Sequence, residues 1–582
     1  MGKWSIIDDG FLCTKRTQVL IDLEEITLSL KPIYEKAPLM TLAALPLRAG
    51  QCRSVLPQLR RLYALGQAAP ENVCLWEGLF RTACLVKDQP LQEPVVRLMN
   101  EALSRQQPSG ELPGSVAEQV ALMRAAYAVY EFDTDRVRLE KMALWCGWAC
   151  ENWENVLADR EVRVRPGELM ELLCSLYRIT GKAALMELCK RLRAQGMDWT
   201  SVLHTFSQQR PLMREMPFDL LQAHMADERE HESGYYTRLY LTNHSEYLAD
   251  GVRSAVTCGR FSGSGSELSA PRTGWEKITR YHGAVCGGVT GDETLAGASP
   301  AAGVSAAGLG AWAESLASVD EPWAYDALEV LVANALPVAA GEEEIQCVQQ
   351  VNQVGESRRY HLGADLPLRS LNRLMRGYAA VASCAVTQRP EGPAVNLYLP
   401  GEYIVPAENG AMLLKIREEK GEKVITVRVK EAFRAEMKLR VPKWARETTV
   451  SINGLPMDAA CENLEVEIDR VWENGDTVTV AFSAPLQVLE GYHQGACIMA
   501  GPVLYAMDAA SDSPNNVALC GEPVMDGEGR ITAPVRLVPD WKNTTGDIPV
   551  LPRTEGDVLH VALVPYADAK RPVALFPRGK QA

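Results

Sequence analysis

The sequence has no cysteine pair in a CxxC spacing, no apolar run long enough to cross a membrane and only eight histidines. It also contains no Walker loop, Rossmann fingerprint, zinc-protease helix or nucleophile elbow. These absences exclude a thioredoxin-type redox motif, a transmembrane helix and the common nucleotide-binding motifs. The first residues, MGKWSIIDDGFLC, lack the apolar core and cleavage site of a signal peptide, and Ser5 comes one position too early for a myristoylation signal.

The 15 cysteines are an odd number and lie scattered, mostly within apolar helical patterns. Cys146 and Cys150, in LWCGWAC, fall on one helical face, where buried free thiols are more common than a metal site. Without a secretion signal, such cysteine usage is typical of a reducing compartment. We therefore expect a cytoplasmic protein that binds no metal and needs no cofactor.

Positive charge is scarce relative to negative charge. The chain has 60 basic and 74 acidic side chains, a formal net charge of -14 and a pI of about 5.3. An acidic chain of this kind lacks the excess of positive charge that attracts nucleic acid or an anionic membrane. A neutral glycan or another neutral or cationic small molecule is the expected partner. The oligomeric state is left open, with a homo-oligomer among the alternatives.

The first two-thirds of the chain has the apolar spacing of helices. In GELMELLCSLYRITGKAALMELCKRL, four leucines recur at the spacing of one helix face, and a second helix follows the Thr-Gly break. Similar hairpins recur at uneven intervals, which argues against a solenoid. We expect them to close into an (α/α)6 barrel over residues 1–385. A Ser- and Gly-rich stretch, TCGRFSGSGSELSAPRTGW, is predicted to be a surface loop within it.

After about residue 385 the apolar pattern changes to a period of two. Ile425, Val427 and Val429 alternate with polar residues in KVITVRVKE, and Asn474-Gly475 separates two further alternating runs. Alternation broken by Asn-Gly is typical of antiparallel strands. The sequence therefore predicts a β-sandwich domain over residues 386–485 and a second β-rich domain over residues 486–582, giving a multidomain α + β fold.

A glycine-rich loop, GGVTGDETLAG, supplies the best candidate for chemistry. Asp292 and Glu293 lie in it with little apolar cover, and Tyr281 and His282 lie just upstream in RYHG. Flanking glycines let a substrate approach the backbone closely, and a partly buried carboxyl can gain the raised pKa of a general acid. The alternative is that the two acids only cap the following helix.

Other residues could contact a carbohydrate through amides, imidazoles or indoles. Amide side chains suit sugar hydroxyls because each offers a donor and an acceptor, and indole rings can stack on a sugar face. Each of them has an equally ordinary structural role in a core. The candidates for sugar binding are Gln350, Asn352 and Gln353 in QQVNQV, the indoles of Trp199, Trp275 and Trp312, and the imidazoles of His282 and His231.

These segments carry a resemblance to a known family. RYHGAVCGGVTGDETLAGASP, LEVLVANALPVAA and QQVNQV follow one another as in the β-L-arabinofuranosidase-type glycoside hydrolases of family 127 and their relatives. The hairpin LYRITGKAALMELCKRLRAQGMDWTSVLH resembles the family's helices, and KLRVPKWARETTVSINGLPM with the later GPVLYAMD resembles its sandwich domain. The resemblance covers most of the chain from about residue 120 and implies an (α/α)6 barrel followed by β-sandwich domains.

The resemblance also implies a mechanism, from which this chain departs. In the family, a zinc-held cysteine thiolate attacks the anomeric carbon and a glutamate protonates the leaving oxygen; Glu293 falls on the position of that glutamate. The metal-binding Glu-x-Cys pair corresponds here to Ser305 and Ala307, and the paired cysteines to Leu368 and Arg369. Alanine, leucine and arginine cannot bind Zn²⁺, and serine is a poor ligand for it.

No shift of register restores the missing cysteines, because Cys347 is the one cysteine between Cys286 and Cys384. Two functions therefore remain open. One is a glycoside hydrolase in which Glu293 acts as acid/base while a second carboxylate, Asp292 or Asp365, activates water. The other is a non-catalytic relative that binds a sugar or a protein through the old cleft.

Overall fold

The fold is taken from a computed structural model. It describes residues 5–6, 11–12, 43–44, 50–52, 72–87, 89–231, 234–291, 293–339, 344–353, 358–361, 368–389, 391–407, 410–457, 461–462, 464–490, 495–509, 515–542 and 548–579.

Eighteen helices lie in the described part of the chain before residue 385. They are α1 Val73–Leu85, α2 Gln89–Ser104, α3 Val116–Asp133, α4 Arg136–Glu151, α5 Trp153–Ala158, α6 Arg160–Val164, α7 Pro166–Thr180, α8 Ala183–Gln195, α9 Trp199–Thr205, α10 Leu212–Glu215, α11 Phe218–His231, α12 Tyr235–Thr242, α13 Ser245–Ser262, α14 Gly265–His282, α15 Ala306–Val319, α16 Pro322–Ala333, α17 Ala335–Ala339 and α18 Leu368–Cys384.

Six of these helices close an inner ring. Around the ring, α1 packs on α3, α3 on α7, α7 on α13, α13 on α15, α15 on α18, and α18 back on α1. The helices α2, α4, α8, α14 and α16 each pack outside the inner helix that precedes them in the chain. The predicted (α/α)6 barrel is thus confirmed.

Helix α7 shows how the sequence encodes one element of this ring. Pro166 occupies the first turn, where its missing N–H is not needed, and Gly181 ends the helix in a left-handed conformation with φ 65°. The predicted leucine face is buried, at Leu169, Leu172, Leu173 and Leu176. Burial of such a face, and not helix propensity, supplies most of a helix's stability.

The predicted surface loop in the Ser- and Gly-rich stretch is wrong. Helix α13 runs through Ser262, and α14 begins at Gly265. Only Gly263 and Ser264 separate the two helices, and Gly263 has φ 72° and its N–H bonded to the carbonyl of Gly259 at 2.8 Å. The loop prediction failed because Gly and Ser are also the preferred residues at the ends of helices. Pro271 lies inside α14.

Inner helices α15 and α18 approach each other at two glycines. A Cβ on Gly310 would lie 2.2 Å from the carbonyl carbon and oxygen of Arg373, and one on Gly377 would lie 2.7 Å from the carbonyl oxygen of Gly310. The two backbones therefore touch with no side chain between them. This crossing requires glycine at both positions.

The strands in the described residues number twenty-seven. They are β1 Ser5–Ile6, β2 Phe11–Leu12, β3 Ala43–Ala44, β4 Gly50–Cys52, β5 Gly303–Ser305, β6 Glu344–Gln350, β7 Arg358–His361, β8 Val386–Gln388, β9 Pro393–Val395, β10 Gly401–Ala407, β11 Gly410–Glu419, β12 Glu422–Val429, β13 Phe433–Arg440, β14 Thr448–Ile452, β15 Leu455–Met457, β16 Cys461–Glu462, β17 Glu465–Trp472, β18 Thr477–Phe482, β19 Leu486–Glu490, β20 Gly495–Ala500, β21 Val503–Asp508, β22 Val517–Leu519, β23 Val524–Met525, β24 Ile531–Leu537, β25 Glu555–Pro565, β26 Pro572–Val573 and β27 Phe576–Pro577.

Two sheets make the domain that follows the barrel. One has the order β15-β14-β18-β12-β11-β10-β4 and the other β16-β17-β13-β9-β8-β3. The alternating residues of KVITVRVKE are buried at Ile425, Val427 and Val429, as the period of two predicts. Strands β3 and β4, from the N-terminal region, extend one sheet each, so residues 43–44 and 50–52 add to this domain.

The last domain is built on a nine-stranded sheet whose main path is β19-β20-β21-β25-β24-β22. It contacts the barrel through Asn352, whose side chain donates to the carbonyl of Leu575 and accepts from the N–H groups of Ala574 and Leu575. Within the described residues, no helix is long and apolar enough to cross a membrane.

Candidate functional site

The glycine-rich loop is fixed in place by His282 and Thr290. The N–H of Gly297 donates to Nδ1 of His282 at 3.1 Å, so Nε2 carries the proton and donates to the carbonyl of Gln208 at 3.1 Å. Thr290 bonds the carbonyl of His282 through its N–H and that of Gly297 through its hydroxyl. His282 is fully buried, and burial lowers its pKa. Nδ1 therefore holds the loop and Nε2 bonds Gln208, so neither ring nitrogen faces a ligand.

Glu293 lies on this loop with an exposed side chain. Its backbone carbonyl accepts from the N–H of Ser245 at 2.9 Å, which docks the loop on the first residue of α13. The hydroxyl of Tyr240 donates to Oε2 of Glu293 at 3.2 Å. The structure thus pairs Glu293 with a tyrosine and not with His282 or the amides of QQVNQV.

Three aromatic rings in edge-to-face contact continue from Glu293 toward the inner helices. The ring of His244 lies 5.3 Å from that of Tyr240 and 4.9 Å from that of Tyr247. The guanidiniums of Arg165 and Arg369 lie 4.8 Å and 5.6 Å from the ring of Tyr247. Both distances suit a cation–π contact. We call the set of Glu293, Tyr240, His244, Tyr247, Glu246 and Arg369 the Glu293 cluster.

Arg369 is the half-exposed member of this cluster. Its Nε donates to Oε2 of Glu246 at 2.9 Å, while Nε of Arg373 approaches the same oxygen at 3.4 Å. Deeper in the barrel, Arg373 and Arg165 both contact Oδ2 of Asp250, at 2.6 Å and 2.9 Å. These contacts bring the N-terminal turns of α7, α13 and α18 together, so the Glu293 cluster lies at one end of the barrel.

Below the cluster, the barrel axis is filled by ions from all six inner helices. We call this set the axial network; its acids are Glu77, Glu168, Glu171 and Glu314, and its bases are Arg124, Arg253, Arg373 and Arg376. Oε1 of Glu314 accepts from Arg253 and Arg376, at 2.7 Å each. Burial alone would raise the pKa of Glu314, but the surrounding guanidiniums lower it to about 2.

The family's zinc does not fit the residues at its expected position. Arg369 holds a guanidinium there, and Ala307 and Leu368 offer no ligand atom. The hydroxyl oxygen of Ser305 instead accepts from the N–H of Gly308 at 3.0 Å and caps α15. A cation paired with Glu246 would repel Zn²⁺. We therefore derive no step through a metal.

Most of the other predicted site residues lie apart from the Glu293 cluster. Trp199 is buried and donates from Nε1 to the carbonyl of Val164 at 2.7 Å. Gln350 donates to the carbonyl of Ala301, and Gln353 is buried. Tyr281 is half-buried at the end of α14.

Asn352, which joins barrel and last domain, also has a structural role. His231 is the last residue of α11, and its side chain is not among those described. Asp292 and Asp365 lie outside the described residues.

Sequence reasoning missed Tyr240, His244 and Tyr247. They lie in YLTNHSEYLADGV, one of the recurring segments whose apolar spacing predicts only a helical hairpin, here with a break at Asn243. The break at Asn243 was the signal that could have found them. It marks the start of an inner helix, and side chains there can reach the open end of a barrel. Two cavities, of about 630 Å³ and 490 Å³, are both lined by residues other than Glu293.

His244 should make the fold sensitive to mild acid. Burial lowers its pKa from 6.5 to about 4, although Glu246 opposes the shift and Arg369, Arg165 and Arg373 add to it. Because the folded pKa is the lower one, the unfolded chain binds the proton more tightly. Stability is complete above about pH 6.5 and declines as the pH falls toward 4, by on the order of 3 kcal/mol.

Urea unfolding at about pH 7 and about pH 5 measures this decline. In His244→Asn the loss between the two pH values should be much smaller than in the unmodified chain, because the titrating group is gone. Equal losses in the two proteins would assign the acid sensitivity to other groups.

Comparisons with known proteins agree with this fold. Residues 394–484 match the family model described as beta-L-arabinofuranosidase, GH127 middle domain. No curated protein matches the chain.

Three solved structures share its fold along nearly the whole length. They are a glycoside hydrolase (14% identity, TM-score 0.69, 93% of this chain and 98% of that one), a GH127 beta-arabinofuranosidase (14%, 0.67, 92% and 98%) and a GH127 beta-L-arabinofuranosidase from Geobacillus stearothermophilus T6 (17%, 0.62, 97% and 97%). Residues 394–484 thus carry the sequence signature of the GH127 middle domain, and the chain shares the fold of these three glycoside hydrolases.

Proposed function

We propose that this chain is a glycoside hydrolase that acts on a neutral glycan or glycoside, of arabinofuranoside type, at the Glu293 cluster. The observation that carries the proposal is the setting of Glu293. Its carboxylate is exposed, its backbone is docked on α13, and one oxygen is fixed by the Tyr240 hydroxyl. A carboxyl group held this way can pass a proton to or from a glycosidic oxygen that reaches it.

The remaining chemistry needs a second carboxylate in place of the thiolate. With Glu293 as acid, the leaving oxygen takes its proton as the bond to the anomeric carbon breaks, and a second carboxylate deprotonates the attacking water. Asp292 and Asp365 are the proposed partners. Glu246 is less suitable, because Arg369 and Arg373 already bind its Oε2.

A non-catalytic sugar-binding protein is the second candidate. It is favoured by Arg369, whose guanidinium occupies the position of the family's cysteines and pairs with Glu246. A guanidinium cannot attack an anomeric carbon, yet it can donate hydrogen bonds to sugar hydroxyls. The half-buried ring of Tyr240 adds aromatic surface to the cluster, whereas Tyr247 is buried.

The change Glu293→Gln separates the two candidates. The amide keeps the size of the side chain and removes the transferable proton, so turnover of an aryl arabinofuranoside or an arabino-oligosaccharide should fall by about 10²–10⁴-fold. Binding of the same oligosaccharide should stay within a few fold. Glu187→Gln, on the exposed face of α8, is the matched control and should leave both quantities unchanged.

Each outcome has one meaning. Turnover by Glu293→Gln at the unmodified rate would refute the acid/base role. Binding without turnover in the unmodified chain would select the second candidate. Neither binding nor turnover with any arabinofuranoside would refute the proposed substrate class.

A further inference from the structure

A second cavity, of about 490 Å³, lies on the other side of the glycine-rich loop from the barrel axis. Its walls come from three domains: α14, the loop and α16 of the barrel, Lys443 of the sandwich and Leu575 of the last domain. The volume is within the range of roughly 300–1,000 Å³ that small-molecule sites occupy, and clefts between domains are common places for them. The Glu293 mechanism does not use this cavity.

Two tryptophans form its aromatic wall. The rings of Trp275 and Trp323 lie 6.4 Å apart and are inclined by 36° to each other. Trp275 is held from behind by the buried ring of Trp312, at 5.2 Å, and Nε1 of Trp323 donates to Glu321 at 2.5 Å. Both indoles are thus fixed in position before any ligand arrives, which lowers the entropy cost of binding.

The polar groups of the cavity carry no net charge. Arg272 and Lys443 are matched by Glu276 and Asp326, and Arg272 bonds Glu276 at 3.1 Å. An anionic or cationic ligand would therefore gain little from the walls. A neutral ligand rich in hydroxyl groups can use charged donors and acceptors together with aromatic faces.

The floor of the cavity is bare backbone. Gly287 and Gly288 line it with φ of 99° and 80°, in the left-handed region that favours glycine. A Cβ on Gly287 would lie 2.6 Å from the Cα of Leu331. Glycine at this position thus lets the loop pack closely on α16. The backbone of Gly287 and Gly288 offers peptide groups to a ligand in the cavity.

From these observations we infer that the cleft around Trp275 and Trp323 is a second carbohydrate-binding site, which takes a neutral oligosaccharide. The inference rests on the proposed function for the class of sugar only. Gly287 and Gly288 line the cleft, whereas Glu293 lies at the end of the barrel. Binding in the cleft therefore requires no turnover at Glu293.

Isothermal titration with neutral arabino-oligosaccharides, two to five residues long, tests the site in the full chain. Trp323→Ala should weaken binding by about tenfold, since an indole platform is removed. Trp275→Phe, which keeps an aromatic ring against Trp312, should give a smaller loss. Trp153→Ala, whose ring packs under Arg191 outside the cleft, is the matched control and should bind normally. Thermal unfolding of each variant confirms that it is folded.

A Glu293→Gln protein distinguishes this site from the proposed active site. With turnover abolished, titration should still detect binding that Trp323→Ala weakens. If all binding is lost with changes in the Glu293 cluster and none with Trp323→Ala or Trp275→Phe, the cleft is not a sugar site. Absence of binding at about 10 mM of every oligosaccharide overturns the inference as well. Cleavage without binding in the cleft would leave the proposed function intact.

Discussion

Replacing Gly310 by alanine is expected to lower the free energy of unfolding of the barrel by roughly 3 kcal/mol or more. The new methyl group would lie 2.2 Å from the backbone carbonyl of Arg373. Backbone cannot rotate away as a side chain can, so α15 and α18 must separate. That movement also displaces Arg373 and Arg376, which bind Glu314 across the same helix pair.

Gly147→Ala is the matched control for this change. Gly147 lies in α4 and a Cβ built on it would meet no atom within 4 Å. Alanine should therefore stabilise the protein, by about 0.5–1 kcal/mol, because glycine is the poorer helix former. Urea unfolding of both variants measures the contrast. Similar effects of the two substitutions would show that the inner helices pack less tightly than the contact of Gly310 with Arg373 indicates.

The sequence could predict the elements of the fold because each one has a local signature. The leucine face of α7 and the alternation of β12 follow from residues within one element. The prediction of a loop at the Ser- and Gly-rich end of α13 failed because composition does not separate a long loop from a two-residue turn. The close crossing at Gly310 and Gly377 depends on two segments far apart in the chain, and no local pattern marks it.

The candidate site was predictable only in part, for the same reason. The glycines around Glu293 mark the loop, whereas Tyr240 reaches it from a helix that precedes it by some fifty residues. His282 was a candidate ligand because histidine is rare here, and its partners Gly297 and Gln208 became known only with the fold. The distinction between a binding and a structural histidine thus depends on long-range contacts.

Removing the charge of Glu314 is expected to have a comparably large effect. Its side chain is 9% exposed, and Oε1 accepts hydrogen bonds from Arg253 and Arg376 at 2.7 Å. In Glu314→Gln these guanidiniums keep their charges but lose the carboxylate that compensates them. Breaking a buried ion pair from one side costs about 3–5 kcal/mol, and we expect a loss of unfolding free energy in that range.

Two comparisons show whether the loss comes from the axial network. Glu187→Gln breaks an exposed pair with Lys190 at 3.2 Å and should change stability by less than about 1 kcal/mol. The double variant Glu314→Gln with Arg376→Met removes a charge of each sign, so it should be more stable than the sum of the two single changes. Additive losses would mean that Glu314 and Arg376 do not stabilise each other. Non-additive losses would show that the charge balance between the inner helices stabilises the closed barrel.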